Sequence, residues 1–418
     1  MDPISRETNP ASFLPGPIPD RTVWQGWNRW RMTRQDFVPA PVITAEEHAR
    51  MTLRQQRLHD LYRVATHSNL EIQDTPMSDY VSKKMRSLVE TNALCHGPDT
   101  RPGLMVNGGG LQGKTETVCE ALAGFEDEWL ALYEQNPSAV PGTLDQHAPA
   151  AYVRTPVKAT PISLCQRILD FYGEPFKGMR QEDMIRTVKS SVYDHGTKAL
   201  VIDDVTRLKL HREGDQDTLD LIRELMSLPV TLILVGVGIP KSGLLRGGRK
   251  DPETGHWVFQ PVKDRGKSRN DDAPGQTDLR YELIDLDRFS YTGAGAAAWT
   301  THLVGLEQQL RLLHGYDGML SSGAMPEFLF GRTAGIVGLL KKYIQAGCRR
   351  AMETGIEQIT TGLLETLELT AADLPELDPD SGELPDIPQP PARAARKPRK
   401  PRSTVFDDRG VPATATSG

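Results

Sequence analysis

This chain lacks long apolar runs, paired cysteines and an excess of positive charge. No run of about 18 apolar residues is present, which excludes a helix that crosses a membrane. The four cysteines form no C-x-x-C pair, which argues against a zinc site or a disulfide framework and favours a reducing compartment. The formal net charge of −6 means that contact with nucleic acid needs local basic patches. The N-terminus also lacks a basic-then-apolar signal pattern, so we expect a cytoplasmic protein.

The stretch from Gly103 to Val118 is the strongest functional signal in the sequence. An apolar strand leads into a glycine-rich turn and then a helix, and the turn fits the P-loop pattern G-x-x-x-x-G-K-[ST]. Such a turn wraps a phosphate in backbone N–H groups, and the helix N-terminus adds a partial positive charge. Lys114 is predicted to reach the β- and γ-phosphates of ATP, and the Thr115 hydroxyl to hold Mg²⁺. The predicted ATP-binding residues are Gly108, Gly109, Gly110, Leu111, Gln112, Gly113, Lys114, Thr115 and Glu116.

Two carboxylates follow a second apolar strand, in KALVIDDV at 198–205. A continuous apolar run is typical of a strand that is buried on both faces of a parallel sheet. Ligands bind at the carboxyl ends of such strands, so the P-loop and these acids are expected to meet. Asp203 is predicted to bind Mg²⁺, and Asp204 to orient or deprotonate the attacking water.

Strands alternate with helices through the middle of the chain, which predicts an α/β fold with a parallel sheet covered by helices on both faces. Before this region, a capping box at Thr44 opens a helix predicted from about 45 to 66. From about 295 the pattern is purely helical, which predicts a small all-α domain. The further predicted strands lie within 150–157, 198–205, 230–238 and 279–289.

Three segments outside this core are rich in aromatic or charged residues. Trp24, Trp27 and Trp30 recur at helical spacing among arginines, either as an amphipathic segment laid on the domain or as a docking element for a partner protein. The insertion at 245–278 carries several basic residues and is interpreted first as a solvated loop. The end of the chain is proline-rich and then basic, which predicts a disordered tail that could hold phosphates.

The ordered motifs together resemble the AAA+ ATPases and, within them, the TniB-like transposition ATPases, relatives of the MuB and TnsC target selectors. The resemblance extends over roughly residues 21–369. Its most specific stretches are YVRTPVKATPISLCQRILDFYG after the P-loop and RTAGIVGLLKKYIQAGCRRAMETGIEQIT, which resembles the lid helix of that family. TVWQGWNRW, DTPMSDYVSKKMRSLV, VIDDVTRL and LILVGVG also contribute.

The resemblance implies a P-loop AAA+ core followed by a small helical lid. On this basis we divide the chain into a partner-docking or disordered segment (1–40), N-terminal helices leading into the ATPase core (41–98), an AAA+ nucleotide-binding domain (99–290), a helical lid (291–370) and a disordered, proline-rich and basic tail (371–418).

The resemblance also implies a function. Members of the family bind ATP and Mg²⁺, assemble as rings or filaments on double-stranded DNA, and recruit or activate a DDE-type transposase, with a TniQ-like adaptor as a further candidate partner. Hydrolysis then dismantles the assembly. By the same resemblance, Arg280 is expected to reach the nucleotide of a neighbouring subunit, Arg332 the γ-phosphate and Lys158 the DNA backbone.

Two departures from the family pattern bear on hydrolysis. Asp204 stands where glutamate is usual, and its shorter side chain predicts slow turnover. Gly238 is followed by Ile239 and Pro240, so the sequence names no sensor-1 residue.

Two other functions use the same core and stay open as alternatives. A STAND-type switch ATPase normally carries a sensor or repeat domain after the lid, and a helicase loader or replication initiator usually appends a winged-helix or helix-turn-helix domain. The sequence reads as neither after the lid. A transposase gene immediately upstream would separate the three.

Overall fold

The computed structural model describes residues 13–97, 99–135, 146–157, 159–208, 216–242, 244–245, 248–254, 257–259 and 279–367. Lys158, the predicted tail from 371 onward and most of the insertion at 245–278 lie outside the described residues. Within the described ranges, no helix is both long and apolar enough to cross a membrane.

A five-stranded parallel sheet lies at the centre of the fold. Its strands are β1 (Gly103–Asn107), β2 (Ala150–Arg154), β3 (Ala199–Asp203), β4 (Thr231–Gly236) and β7 (Tyr281–Asp285), and two further short strands, β5 (Gly248–Lys250) and β6 (Trp257–Phe259), lie outside it. The central sheet has the order β2-β3-β4-β1-β7, and all its neighbours pair in parallel. Every residue of β3 and β4 is buried, and consecutive side chains of a strand point to opposite faces, so both faces are covered. The predicted fold class is confirmed.

Several helices begin at a threonine whose side chain accepts one of the first N–H groups. Thr44, Thr52, Thr75 and Thr160 each accept the backbone N–H three residues later. The helices are α1 (Trp24–Thr33), α2 (Ala45–Arg50), α3 (Leu53–Ser68), α4 (Pro76–Ala93), α5 (Lys114–Gln135), α6 (Pro161–Tyr172), α7 (Gln181–Asp194), α8 (Gln216–Met226), α9 (Ala294–Gln309), α10 (Met325–Thr333), α11 (Val337–Thr354) and α12 (Thr361–Glu365).

The prediction of one continuous helix from about 45 to 66 is wrong. Met51 is extended, with φ −72° and ψ 152°, and it separates α2 from α3. The capping box of Thr52 and Gln55 then starts a second helix, because it offers the backbone N–H groups a local partner. Within the insertion at 245–278, β5 and β6 form a short antiparallel pair that the loop interpretation missed.

Helix α1 lies on α5, the helix that follows the P-loop. Trp27 is fully buried in the α/β core, and its indole Nε1 donates to the carboxylate of Glu126. Arg31 and Arg34 both form ion pairs with Asp127, also on α5. Of the two interpretations of the tryptophan segment, the structure therefore shows an amphipathic helix laid on the domain.

A second hydrophobic core lies among the helices that follow the sheet. The rings of Trp299 and Phe330 meet edge to face at its centre, with centroids 5.5 Å apart. Helix α3 packs on this helical unit, because the Arg63 guanidinium pairs with Glu357 at 2.6 Å and Gln345 Nε2 donates to the carbonyl of Ser68 at 3.0 Å. The N-terminal helices thus contact the helical unit as well as the α/β core.

The buried Glu126 carboxyl should make stability depend on pH. Burial raises the pKa of Glu126 from 4.5 to about 7, against the lowering effects of the Trp27 hydrogen bond and of Arg31. The folded chain therefore binds this proton more tightly than the unfolded chain, and stability is lost as pH rises from about 4.5 to about 7. Glu126→Gln keeps an oxygen for Trp27 and removes the titration.

We expect the unmodified chain to lose melting temperature, relative to Glu126→Gln, as pH rises through this window. Thermal unfolding of both proteins in a pH series measures the difference. Glu134→Gln removes the same charge from an exposed position of α5 and serves as the control. Parallel curves for the unmodified chain and Glu126→Gln would contradict the prediction.

Candidate nucleotide-binding site

The P-loop, residues 108–113, connects β1 to α5 at the carboxyl edge of the sheet. Lys114 Nζ donates to the carbonyl oxygens of Gly108 and Gly109, at 3.2 and 2.5 Å. The side-chain oxygen of Gln112 accepts the N–H of Gly109. The lysine and an N–H group expected to bind phosphate are thus engaged within the loop, so a nucleotide must replace these bonds.

Asp203 brings three elements together at the end of β3. Its side chain is almost fully buried, and its Oδ2 accepts the hydroxyls of Thr115 at 2.7 Å and of Tyr152 at 2.8 Å. Its Oδ1 accepts the N–H of Asp204 at 2.7 Å. Burial, and next the Asp203 charge, raise the pKa of Tyr152, so its hydroxyl remains a donor. The two predicted Mg²⁺ ligands, Thr115 and Asp203, are therefore in direct contact.

Asp204 has a left-handed backbone, with φ 56° and ψ 34°, and starts a 3-10 turn at Val205–Arg207. Aspartate tolerates this conformation better than most residues. Its Oδ2 pairs with Arg207 Nη2 at 3.0 Å on the solvent side of Asp203. Burial lowers the pKa of Lys114, and the charges of Asp203 and Asp204 partly offset this effect, so Lys114 and both carboxylates share one site.

The side chain of Glu116 anchors the N-terminal segment. Its two carboxylate oxygens accept bonds from the Arg21 guanidinium at 2.8 and 2.9 Å. That guanidinium also lies over the rings of Trp30 and Tyr152, with centroid distances of 5.0 and 5.9 Å. Burial alone would lower the pKa of Arg21, but the bonds to Glu116 raise it. Of the predicted ATP-binding residues, Glu116 thus has its carboxylate occupied by a partner from the same chain.

The first turn of α11 meets the P-loop. The N–H of Gly338 donates to the carbonyl of Leu111 at 2.8 Å, and Leu111 itself has a positive φ of 59°. A Cβ atom at position 338 would lie 2.6 Å from that oxygen, so only glycine permits the approach. One turn later, Lys341 Nζ donates to the carbonyl of Leu70 at 2.6 Å. Burial lowers the pKa of Lys341, and Glu116 opposes this, so Lys341 is a cation of the helical unit close to the site.

The stretch that resembles the lid helix begins at Arg332, which would place this residue at the start of that helix, but the structure does not. Arg332 lies at the end of α10, and Ala334 and Gly335, both with positive φ, form the left-handed turn that separates α10 from α11. Its guanidinium lies 5.5 Å from the ring of Phe328. A contact of Arg332 with the γ-phosphate stays a prediction.

Arg280 lies at the edge of the sheet opposite to the P-loop. Its carbonyl accepts the N–H of Gly103 at 2.8 Å, and β1 and β7 run parallel from this point, with Asn107 paired to Asp285 at the far end. Arg280 is exposed and precedes β7, so it lies at the opposite end of the strands from the P-loop of its own chain. A role toward a neighbouring subunit stays a prediction, and so does the DNA contact of Lys158.

The oxygen atoms at this edge suit magnesium. Mg²⁺ prefers octahedral oxygen ligands at about 2.0–2.1 Å, so adjacent ligands lie about 2.9 Å apart. Thr115 Oγ1 and Asp203 Oδ2 are separated by 2.7 Å. Thr115 and Asp203 would therefore hold the ion, and the phosphates and water would supply its other ligands.

Comparison with known families fits this geometry. Residues 105–239 match the family model described as an AAA domain. This segment is an AAA domain. It contains the P-loop, both aspartates, the strands β2, β3 and β4 and the last three residues of β1. AAA domains belong to a family of nucleotide-hydrolysing ATPases. No curated protein is significantly similar to the sequence.

Several solved structures have a similar chain path. The Cdc6p protein of Pyrobaculum aerophilum has a TM-score of 0.47 at 12% identity, over 71% of this chain and 67% of that one. The Orc1 protein of Aeropyrum pernix in complex with DNA has a TM-score of 0.47 at 14% identity, over 71% of this chain and 65% of that one. AMPPCP-bound DnaA of Aquifex aeolicus has a TM-score of 0.37 at 12% identity, over 70% of this chain and 67% of that one. The chain thus spans about two thirds of the length of these proteins.

Tyr152, Asn107 and Lys341 are polar residues of the site that sequence analysis did not single out. Tyr152 reads as one more apolar strand residue. Asn107 ends β1, where its side chain donates to Asp285 at 2.7 Å and accepts the N–H of Ile239 at 3.0 Å. Its polarity at the end of an apolar strand is a signal that could have been used. Lys341 follows Gly338 by three residues, so helical spacing places both on one face.

Removal of the Tyr152 hydroxyl should weaken Mg²⁺ binding. Tyr152→Phe keeps the ring stacked on Trp27, at a centroid distance of 6.2 Å, but deletes a donor to Asp203 Oδ2. Loss of such an outer partner typically costs about 10- to 100-fold in metal affinity or activity. We expect a loss of this size in a Mg²⁺ titration of binding of an ATP analogue, with binding in EDTA unchanged.

Tyr172→Phe is the matched control, because the Tyr172 hydroxyl is also buried but pairs with Thr197 Oγ1, at 2.7 Å. Equal Mg²⁺ titrations for Tyr152→Phe and Tyr172→Phe would show that the Tyr152 hydroxyl does not orient Asp203.

Proposed function

We propose that the chain is a regulatory ATPase that assembles on double-stranded DNA in its ATP-bound state and controls transposition. The observation that carries the ATPase part is the contact of Thr115 with Asp203 beside Lys114, at the carboxyl edge of the AAA domain. The regulatory part rests on the resemblance of the sequence to TniB-like ATPases, over roughly residues 21–369.

The proposed chemistry is hydrolysis of the terminal phosphate of ATP. Lys114 exchanges its bonds to the loop carbonyls for bonds to the β- and γ-phosphates, and the loop N–H groups cradle the phosphate oxygens. Mg²⁺ held by Thr115 and Asp203 would neutralise charge on the phosphates. Asp204 orients the attacking water from the solvent side of Asp203. Its short side chain and its bond to Arg207 favour slow turnover.

Slow hydrolysis suits a timer. An ATP-bound assembly persists on DNA long enough to engage a DDE-type transposase, directly or through a TniQ-like adaptor, and hydrolysis then releases it. The proposal includes an oligomer, a ring or a filament, in which Arg280 acts on the nucleotide of the next subunit. The exposed position of Arg280, at the edge of the sheet away from its own P-loop, is compatible with this role.

Lys114→Ala should abolish ATP binding, because it removes the charge that meets the β- and γ-phosphates.

Asp204→Asn should abolish hydrolysis and leave ATP binding intact, because the amide keeps the side-chain volume but cannot act as a base. Binding is measured with a fluorescent ATP analogue and turnover by phosphate release. Asp183→Asn is the matched control, since Asp183 also pairs with an arginine three residues later, Arg186, but on α7. Wild-type turnover in Asp204→Asn would assign the water to another residue.

DNA binding should depend on ATP. Because the chain is net acidic, binding at physiological salt needs many subunits that each contribute a few phosphate contacts. We expect negligible affinity without nucleotide or with ADP, and cooperative binding of any duplex with a non-hydrolysable ATP analogue. Fluorescence anisotropy of a labelled duplex with each nucleotide, across a salt series, measures the affinity and its cooperativity. The affinity should fall steeply as the salt concentration rises, because each phosphate contact releases counterions.

Lys158→Ala should weaken DNA binding and lower the salt slope by about one per subunit. Lys177→Ala, an exposed lysine on the loop between α6 and α7, is the control. Deletion of residues 390–403 should slow DNA capture and spare the nucleotide dependence. If no nucleotide state binds duplex at low salt and high protein concentration, the DNA-binding part of the proposal fails, and a switch ATPase becomes the better interpretation.

A further inference from the structure

The break between α2 and α3 brings two histidines and an aspartate together. In a continuous helix, His48 and Asp60 would lie about 18 Å apart along the axis, at about 1.5 Å per residue. The extended Met51 turns the chain back instead, and His48 Nε2 lies 2.9 Å from Asp60 Oδ1. The rings of His48 and His59 have centroids 5.8 Å apart.

His59 offers a buried nitrogen without a partner. Its side chain is only 8% exposed, and its Nε2 lies 3.4 Å from the carbonyl oxygen of Pro41, which assigns the ring proton to Nε2. The other nitrogen, Nδ1, is buried and has no hydrogen-bond partner among the described residues. With the ring proton on Nε2, Nδ1 carries a free lone pair. This is the arrangement of a metal-binding histidine, which donates its other N–H to a carbonyl.

Asp60 is held in place by Arg63, whose positive charge is already paired with Glu357. Its Oδ1 accepts from Arg63 Nη2 at 2.7 Å. The same guanidinium makes two bonds to Glu357, at 2.6 and 3.0 Å, so its charge is compensated from the other side. Carboxylates that ligate metals are commonly oriented by such outer hydrogen bonds.

We propose that His48, His59 and Asp60 bind a divalent transition-metal ion. Two imidazoles and a carboxylate are a ligand set typical of zinc. Their ligand atoms all lie within 4.8 Å of one another. Ligands of a tetrahedral zinc lie about 3.3 Å apart, given bonds of about 2.0–2.2 Å, so small side-chain rotations complete the site. Two imidazoles and a carboxylate leave a fourth position for water. Magnesium, which prefers oxygen ligands, does not suit two imidazoles.

The ion would clamp α2 onto α3. It would replace the proton shared by His48 and Asp60 and would also bind His59. His59 and Asp60 lie on α3, the helix that packs against the helical unit through Arg63 and Glu357. The site uses no cysteine, so cysteine spacing could not reveal it. It does not depend on the nucleotide chemistry, because its residues are separate from the P-loop and from both aspartates of the AAA domain.

The test uses tag-free, full-length protein, stripped with EDTA and free of nucleotide, and Co²⁺ as a spectroscopic probe. We expect one Co²⁺ per chain with the intense visible absorption of a four-coordinate ion, displaced by Zn²⁺ but not by Mg²⁺. His48→Asn and His59→Asn should each weaken binding by more than the about 10-fold that loss of an outer partner costs. His96→Asn is the control, since this exposed histidine beside Cys95 is a candidate for adventitious binding.

Thermal unfolding provides a second readout. A ligand that binds only the folded chain raises its melting temperature with concentration, so Zn²⁺ should stabilise the unmodified protein and His96→Asn but neither ligand variant. His48 lies on the short surface helix α2, so His48→Asn should retain the fold in EDTA. Absence of the absorption band, or a band and a zinc-dependent shift that persist in His48→Asn, would overturn the proposal.

Discussion

A buried carboxylate sets the conditions for the rest of the nucleotide site. Because helices cover both faces of the sheet, Asp203 at the end of β3 is 3% exposed and cannot rely on water. An unsatisfied buried polar group costs about 1–3 kcal/mol, and more when it is charged. The hydroxyls of Thr115 and Tyr152 and the N–H of Asp204 meet this need. The P-loop helix, β2 and the turn after β3 must therefore keep fixed positions around one side chain.

The N-terminal helices extend this constraint beyond the AAA domain. Helix α1 lies outside residues 105–239, yet its Trp27 is buried under the P-loop helix and its arginines pair with acids of that helix. Arg21 adds a bond to Glu116 in the first turn, over the ring of Tyr152. Helix α3 instead pairs with the helical unit through Arg63 and Glu357. One N-terminal segment thus contacts both units that border the nucleotide site.

The parts of this structure that the sequence predicts well are those fixed by local chemistry. The P-loop, the apolar strands and the parallel sheet follow from glycine positions and apolar runs, which require burial whatever the tertiary context. The contact between Thr115 and Asp203 follows because carboxyl ends of parallel strands share one edge. The break at Met51 also has a local signal, since Thr52 and Gln55 form a capping box inside the predicted helix.

What the sequence could not supply depends on packing between distant segments. Arg332 and Lys341 are both cations near the start of the lid sequence, but the left-handed turn at Ala334 and Gly335 places them on different helices, and it is α11, the helix of Lys341, that meets the P-loop through Gly338. Tyr152 has the pattern of a core residue and takes a polar role only because β2 lies beside β3. The partner of Glu116, Arg21, is 95 residues away in sequence, beyond any local pattern.

The link between the P-loop and the helical unit follows from the same geometry. Leu111 has a left-handed backbone, which costs a non-glycine residue about 1–3 kcal/mol, and its carbonyl accepts the N–H of Gly338. Gln112 and Lys114, which follow Leu111, bond back to Gly108 and Gly109, which precede it, and a bound phosphate must displace these contacts. A change at Leu111 therefore moves the acceptor of α11, and α11 contacts α3 through Gln345 and Ser68. The P-loop, helix α11 of the helical unit and helix α3 of the N-terminal segment are thus linked by direct hydrogen bonds.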